Sequence, residues 1–185
     1  MLYYEVPKVR ILETQRLVLR HMSTDDAEFV LQLLNEPAWL RFIGDRGIRS
    51  LQDAAAYIVN GPVEMYARLG FGLYVVELKD GGLPIGICGL IKRDFLADVD
   101  IGYGFLSQYW AQGYAYESAS GVLAYAIQVL GLQRIVAITT SDNHRSARLL
   151  EKLGLRFEQM VRNPATNQDS RLFAIDAIQK THPHS

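Results

Sequence analysis

Cysteine occurs once, at Cys88, and a single thiol excludes an intrachain disulfide framework and a cysteine-rich zinc site. A reducing cytoplasmic setting is the expectation that follows. No stretch approaches the roughly 20 apolar residues that span a bilayer. The N-terminal "MLYYEVPKVRILETQR" is charged throughout and lacks an apolar run of signal-peptide length. Net charge is −1, so no global basic field invites nucleic acid or an anionic membrane, and neither is expected as a partner. The histidines, His21, His144, His182 and His184, show no metal-ligand spacing, and no metal is expected.

What is present suits an ordinary globular protein: 185 residues, 49% hydrophobic and 21% charged. That length fills one well-packed domain and is short for two, so residues 1–185 are read as a single domain with its core over about 13–178. The last residues, "THPHS", read as a frayed tail. "RLVLRHM" (16–22) alternates as a half-buried strand does. "STDDAEFVLQLLNEP" supplies a cap at Ser23 or Thr24, acids in the first turn and an apolar face from Phe29, Val30, Leu33 and Leu34, with Pro37 as its end. A second cap, Ser50 with Asp53, opens a stretch that Gly61-Pro62 interrupts, giving two short helices or one broken one.

The middle of the chain reads as strands at 71–79, 84–93 and 99–106, the first two joined by the hairpin signal "DGGL". A long helix follows, with Ala115, Ala119, Val122, Leu123, Ala126, Ile127 and Leu130 on one face and Gly131 as its stop. "RIVAITT" (134–140) is a buried strand, and "SDNHRSARLLEKLGL" a short helix closed by Gly154. Two strands, "RFEQMV" and "SRLFAIDAI", complete the order. Hairpins beside strand–helix–strand crossings imply an α/β fold, a mixed sheet of about seven strands with helices on both faces.

The loop "SQYWAQGYA" (107–115) enters the long helix and contains no Lys or Arg. A phosphate held there rests on backbone N–H groups and the helix dipole. Gly113 lets the backbone approach an anion and Ala115 keeps bulk away; a turn or close packing explains both residues equally well. No G-x-x-x-x-G-K-[ST] string exists. "GYGFLS" (102–107) places Ser107 where a dinucleotide fingerprint needs its third glycine, and it lies inside a strand pattern.

Two ordered segments, "IGYGFLSQYWAQGYAYESA" and "TTSDNHRSARLLEKLGLRFE", together with "ETQRLVLR" (13–20), resemble the GCN5-related N-acetyltransferase superfamily, above all its ribosomal-protein alanine acetyltransferase (Rim-like) branch. The pyrophosphate loop of that superfamily matches Trp110, Ala111, Gln112, Gly113, Tyr114 and Ala115. Its later N-x-x-S-x-x-L-L-E-K-L-G signature matches Asn143, Ser146, Leu149, Leu150, Glu151, Lys152, Leu153 and Gly154. The chain departs from the usual pattern at Ala111 (Gly), Gln112 (Lys or Arg), Tyr116 (Thr or Ser) and Leu155 (Phe). The second change removes one cationic contact to phosphate.

The resemblance implies acetyl-CoA as donor and an amine as acceptor, either a protein N-terminus or a small molecule. It implies a splayed central strand pair, 99–106 and 134–140, with the cofactor arm in the gap. Cofactor contacts then fall to Phe105, Leu106, the six loop residues, Asn143, Arg145 and Ser146, with Arg148 and Lys152 near the adenosine phosphate. The oxyanion of the attack needs a positioned donor, and a backbone N–H of the strand around Tyr103–Phe105 is the candidate; Ser146 matches the position that the Rim-like branch implies for the proton donor to the leaving thiolate. Asp100 is the candidate general base, directly or through water, and Glu117 is read as structural. The segment 36–70 is assigned to the acceptor cleft, with Trp39, Phe42, Tyr57 and Tyr66 as lining or core. Cys88 is read as core. A non-catalytic acyl-CoA-binding or interaction module is the competing function, and a homodimer stays open.

Overall fold

The computed structural model describes residues 8–164 and 167–177; the expected tail at 181–185 lies outside them. The chain opens with two strands, β1 (Arg10–Glu13) and β2 (Leu17–Arg20). Thr14 makes the turn between them: its N–H donates to the Leu17 carbonyl at 2.9 Å and its hydroxyl accepts from Leu17 N–H at 3.1 Å. β1 makes eight strands where about seven were expected. Its residues are exposed at both ends and only half-buried between, so no period-two signal marks them.

Four helices follow: α1 (Ala27–Leu34), α2 (Pro37–Phe42), α3 (Leu51–Ile58) and α4 (Glu64–Leu69). α1 stops at Leu34, ahead of Pro37 as expected, and Pro37 also opens α2, where its missing N–H costs nothing. Ser50 and Asp53 cap α3 reciprocally, with bonds of 3.1 and 2.9 Å. A π turn over Val59–Val63 absorbs Gly61-Pro62, so residues 51–69 run as one interrupted helix.

β3 (Leu73–Leu78), β4 (Pro84–Ile91), β5 (Val99–Phe105), β6 (Arg134–Thr140), β7 (Arg156–Asn163) and β8 (Gln168–Asp176) complete a sheet of order β1-β2-β3-β4-β5-β6-β8-β7. Only β5 and β6 pair in parallel; every other neighbouring pair is antiparallel. α5 (Tyr114–Gln128) crosses from β5 to β6, and α6 (His144–Lys152) follows β6.

Alternation along the strands splits the core. Tyr74 and Val76 join Val122 and Ala126 of α5 and Leu150 of α6, whereas Val75 and Ile87 join Val30 and Leu33 of α1 and Ile58 of α3. The sheet is thus covered on both faces, as expected. Each fully buried aliphatic side chain contributes about 1.5–3 kcal/mol. An ion cluster ties the first helix to the sheet: Arg20, 2% exposed, bonds Asp26 at 2.8 and 2.9 Å and Glu77 at 2.7 Å.

Candidate active site

β5 and β6 are paired only at Val99–Ile135 and Asp100–Val136, and beyond Asp100 they part. The register on the other side of β5 says which groups are released. Leu106 N–H bonds the Ile85 carbonyl at 3.0 Å, so with two-residue alternation Gly104 and Gly102 also face β4. The N–H groups of Tyr103 and Phe105 therefore point into the gap. The gap opens into a cleft of about 1420 Å³ lined by β5, the 109–116 turn, α6 and the segment 36–68.

At one end of the cleft stands the start of α5. Its first intrahelical bond is Glu117 N–H to Gly113 carbonyl, at 3.0 Å. The preceding N–H groups have no acceptor within the helix and carry the positive end of its dipole. Two successive left-handed turns of the backbone set up this entry: Gly113 has φ 85° and Ala111 has φ 59°. For Ala111 that conformation costs roughly 1–2 kcal/mol, which explains why glycine is the usual residue in the motif it resembles.

A carboxylate braces the loop from below. Glu117 accepts from Thr14 hydroxyl at 2.6 Å, Arg16 N–H at 2.7 Å and Arg16 Nε at 2.7 Å. Burial pushes its carboxyl up, but those bonds and the Arg16 charge more than reverse this and leave it below the ordinary value. Arg16 Nη1 also donates to the Gln112 carbonyl at 3.0 Å, and its guanidinium lies 4.4 Å from the centre of the Tyr114 ring. A cation therefore sits behind the loop although Gln112 has replaced one within it. "ETQRLVLR" contained Arg16, but nothing in that string indicated what it would touch.

The far wall is α6. Asn143 caps it, accepting from Ser146 N–H at 3.1 Å. Ser146 Oγ lies 2.8 Å from the Tyr103 hydroxyl, which joins β5 to α6 across the gap. Burial raises the Tyr103 phenol above its ordinary value, against the Ser146 bond. Trp110 donates Nε1–H to the Phe105 carbonyl at 2.9 Å, and the Arg145 guanidinium stacks on its ring at 4.9 Å. Lys152 lies 4.5 Å over Tyr116.

Most of the sequence-derived site residues meet in this cleft: Asp100, Tyr103, Phe105, Trp110, Ala111, Gly113, Tyr114, Ala115, Asn143, Arg145 and Ser146 all line it. Three do not. Leu106 is buried in the opposite core with its N–H spent on Ile85, so it offers a cofactor no donor. Gln112 turns back to donate to the Gln108 carbonyl at 3.0 Å. Tyr66, read as lining or core, is core: it stacks on His21 at 3.9 Å, accepts from Met22 N–H and donates to the Leu73 carbonyl. Trp39, Phe42 and Tyr57 do line the cleft.

Asp100 lies at the fork and is 1% exposed. Its carboxylate pairs with Arg93 Nε at 2.5 Å, a partner the sequence did not suggest. Burial nevertheless raises the Asp100 carboxyl to about 6, against the pull of Arg93 and the Ile138 N–H. Cys88 is fully buried in β4, and burial pushes its thiol up to about 12. No group of three or more metal-ligating side chains occurs among the described residues. No described helix is long and apolar enough to cross a membrane.

A split parallel pair that opens onto a free helix start is an architecture with known relatives. A family model described as an acetyltransferase (GNAT) domain matches residues 16–156. The chain belongs to the GNAT acetyltransferase family. It is 30% identical over 171 residues to the uncharacterized N-acetyltransferase YoaA of Bacillus subtilis, covering 89% of this chain and 96% of that one. Among solved structures it matches a ribosomal-protein alanine acetyltransferase from Vibrio fischeri, with TM-score 0.76, 18% identity and coverage of 92% and 98%. It also matches RimL, a ribosomal alpha-N-protein acetyltransferase solved in complex with coenzyme A, with TM-score 0.77, 16% identity and coverage of 90% and 97%. At such identities these two likenesses concern the fold. The protein is an N-acetyltransferase of the GNAT family, and an acetyl acceptor is implied as its second substrate.

Proposed function

We propose that this GNAT enzyme draws its acetyl group from acetyl-CoA bound along the β5–β6 gap and passes it to a primary amine, either a protein N-terminus of the kind the Rim-like motifs imply or a small molecule. One observation carries the reading: a single cleft runs from the free N–H groups at the start of α5, past the inward N–H groups of Tyr103 and Phe105, to the Ser146 hydroxyl. The donor set fits the cofactor. Backbone N–H groups at a helix start suit a diphosphate without a side-chain cation, strand N–H groups suit the amides of an extended arm, and Arg145 on Trp110 suits a phosphate near the mouth.

Acetyl-CoA supplies, when bound, a thioester whose carbonyl carbon exchanges sulfur for nitrogen. The chain does the rest. One of the two inward N–H groups, that of Tyr103 or of Phe105, holds the acetyl oxygen and stabilises the negative charge that develops on it, and the other is left for an amide of the arm. Ser146 gives a proton to the departing sulfur, and Asp100 takes one from the amine, through water, since its carboxyl is poised near 6. Trp39, Phe42 and Tyr57 flank the acceptor's approach. The test is to incubate the protein with acetyl-CoA and panels of N-terminal peptides and small amines and to follow thiol release. Turnover on any amine supports the enzyme; binding without turnover on every amine supports the non-catalytic module.

A further inference from the structure

Ser146 is a weak acid by itself, and a serine hydroxyl spins freely unless something fixes it. The Tyr103 phenol is the group that touches it. From β5 it reaches across the gap to Ser146 Oγ at 2.8 Å, while the Ser146 carbonyl is farther away, at 3.5 Å. Both residues are half-buried and both line the cleft. Either hydroxyl could donate in this contact; a phenol is the better donor of the two and an aliphatic hydroxyl the better acceptor, which favours the direction from Tyr103 to Ser146. That leaves the Ser146 hydrogen free to point into the cleft. The phenol stays protonated across the neutral range because burial holds it above its ordinary value.

We infer that Tyr103 is a positioning residue that donates its phenolic hydrogen bond to Ser146, aiming the serine proton at the sulfur of bound coenzyme A and strengthening it as a donor. The inference rests on the acetyl-CoA site proposed above. As the C–N bond forms, the C–S bond breaks and sulfur keeps the electron pair. Sulfur takes the Ser146 proton; the proton that Asp100 has taken from the nitrogen is passed on through water to the Ser146 oxygen; Tyr103 keeps its own throughout. The products are the acetylated amine and the free thiol.

A donor aimed at sulfur also acts on the product complex, where no acceptor is needed. A hydrogen bond to a thiolate favours the thiolate, so the thiol of bound coenzyme A is to be titrated by its ultraviolet absorbance in the wild type, Tyr103→Phe, Ser146→Ala and the double variant. The wild-type complex should titrate below free coenzyme A. Tyr103→Phe should return part of that shift, Ser146→Ala most of it, and the double variant no more than Ser146→Ala alone. Ser146→Thr, which retains a hydroxyl, should keep the shift and its sensitivity to Tyr103→Phe. In turnover, Tyr103→Phe should lower kcat about tenfold, the worth of one hydrogen bond, with coenzyme A affinity unchanged. A bound thiol that Tyr103→Phe leaves unmoved overturns the inference. So does an effect of Tyr103→Phe that persists undiminished without Ser146, or one confined to affinity. Failure of the wild type to bind coenzyme A would instead remove the proposed site, and this inference with it.

Discussion

Arg16 and Glu117 meet across 101 residues of chain, Nε to Oε2 at 2.7 Å, and so fasten the β1–β2 turn to the first turn of α5. The bond is part of a three-donor clasp on one carboxylate, completed by the Thr14 hydroxyl and the Arg16 N–H. Its consequence lies one turn earlier, where the same guanidinium holds the Gln112 carbonyl and thereby the loop that leads into the free helix start.

Replacing Glu117 with Ala should cost stability of about 2 kcal/mol, the usual scale for charge-assisted bonds left unmade, and weaken acetyl-CoA binding. Urea denaturation and calorimetry read the two effects separately. The pH sign follows from the lowered carboxyl. Its stabilisation is fully present above the unfolded carboxylate value and is lost as pH falls through the lower folded value. Glu117→Ala should therefore show a flatter stability profile in acid than the wild type.

Ala111 holds φ 59°, a conformation glycine adopts freely. Ala111→Gly should gain about 0.5–1 kcal/mol after the added freedom of the unfolded chain is counted. For a chain of this size that raises the melting temperature by roughly 1–4 °C. A lower melting temperature would mean that the alanine methyl makes contacts outweighing the strain.

Asp100 offers a pH test of its own, since its carboxyl is raised to about 6 from an ordinary 3.8. A base must be ionised, so kcat should climb as pH rises through about 6, apart from any limb contributed by the amine. Asp100→Asn should remove that limb and slow turnover on the order of a hundredfold. Folding stability has the opposite sign: between 3.8 and about 6 the folded form holds the extra proton, so this residue's contribution falls as pH rises through that window and then levels. A limb that survives in Asp100→Asn would release the residue from catalysis and leave it as the partner of Arg93.

Gly104 lies under an aromatic ring. A Cβ there would come within 2.5 Å of Trp39 Cζ3, and Trp39 lines the cleft. Gly104→Ala should cost about 1–3 kcal/mol by overpacking and shift the tryptophan fluorescence as the ring is pushed aside. A shifted spectrum with an unchanged melting curve would mean the ring yields without cost.

Much of this was legible in the chain, for physical reasons. The long helix announces itself through apolar periodicity, β6 through its β-branched run and the α3 cap through Ser50 and Asp53, because those signals are local. The cleft residues Tyr103, Trp110, Asn143 and Ser146 came from motif order and spacing. What escaped is long-range pairing. Nothing near Arg16 in sequence names Glu117, and nothing near Asp100 names Arg93 as its ion-pair partner. β1 escaped because its side chains are too exposed to alternate. Leu106 misled because neighbouring residues of an extended chain face opposite ways, and the sequence alone did not fix which of them faced the gap; Tyr66 lies on α4, and which of its two readings, lining or core, applies depends on packing against His21 that is distant in sequence.

The start of α5 is proposed as the seat of a diphosphate. The direct measurement is a calorimetric titration of the purified protein with acetyl-CoA beside acetyl-pantetheine, which has the thioester arm but no diphosphate. Saturable micromolar binding of acetyl-CoA, with the truncated donor weaker by about a hundredfold or more, is the expected result. A ligand held at a hundred times its Kd should then add about 2.7 kcal/mol of stability. Equal affinity for both donors, or no heat and no thermal shift with acetyl-CoA, would contradict it.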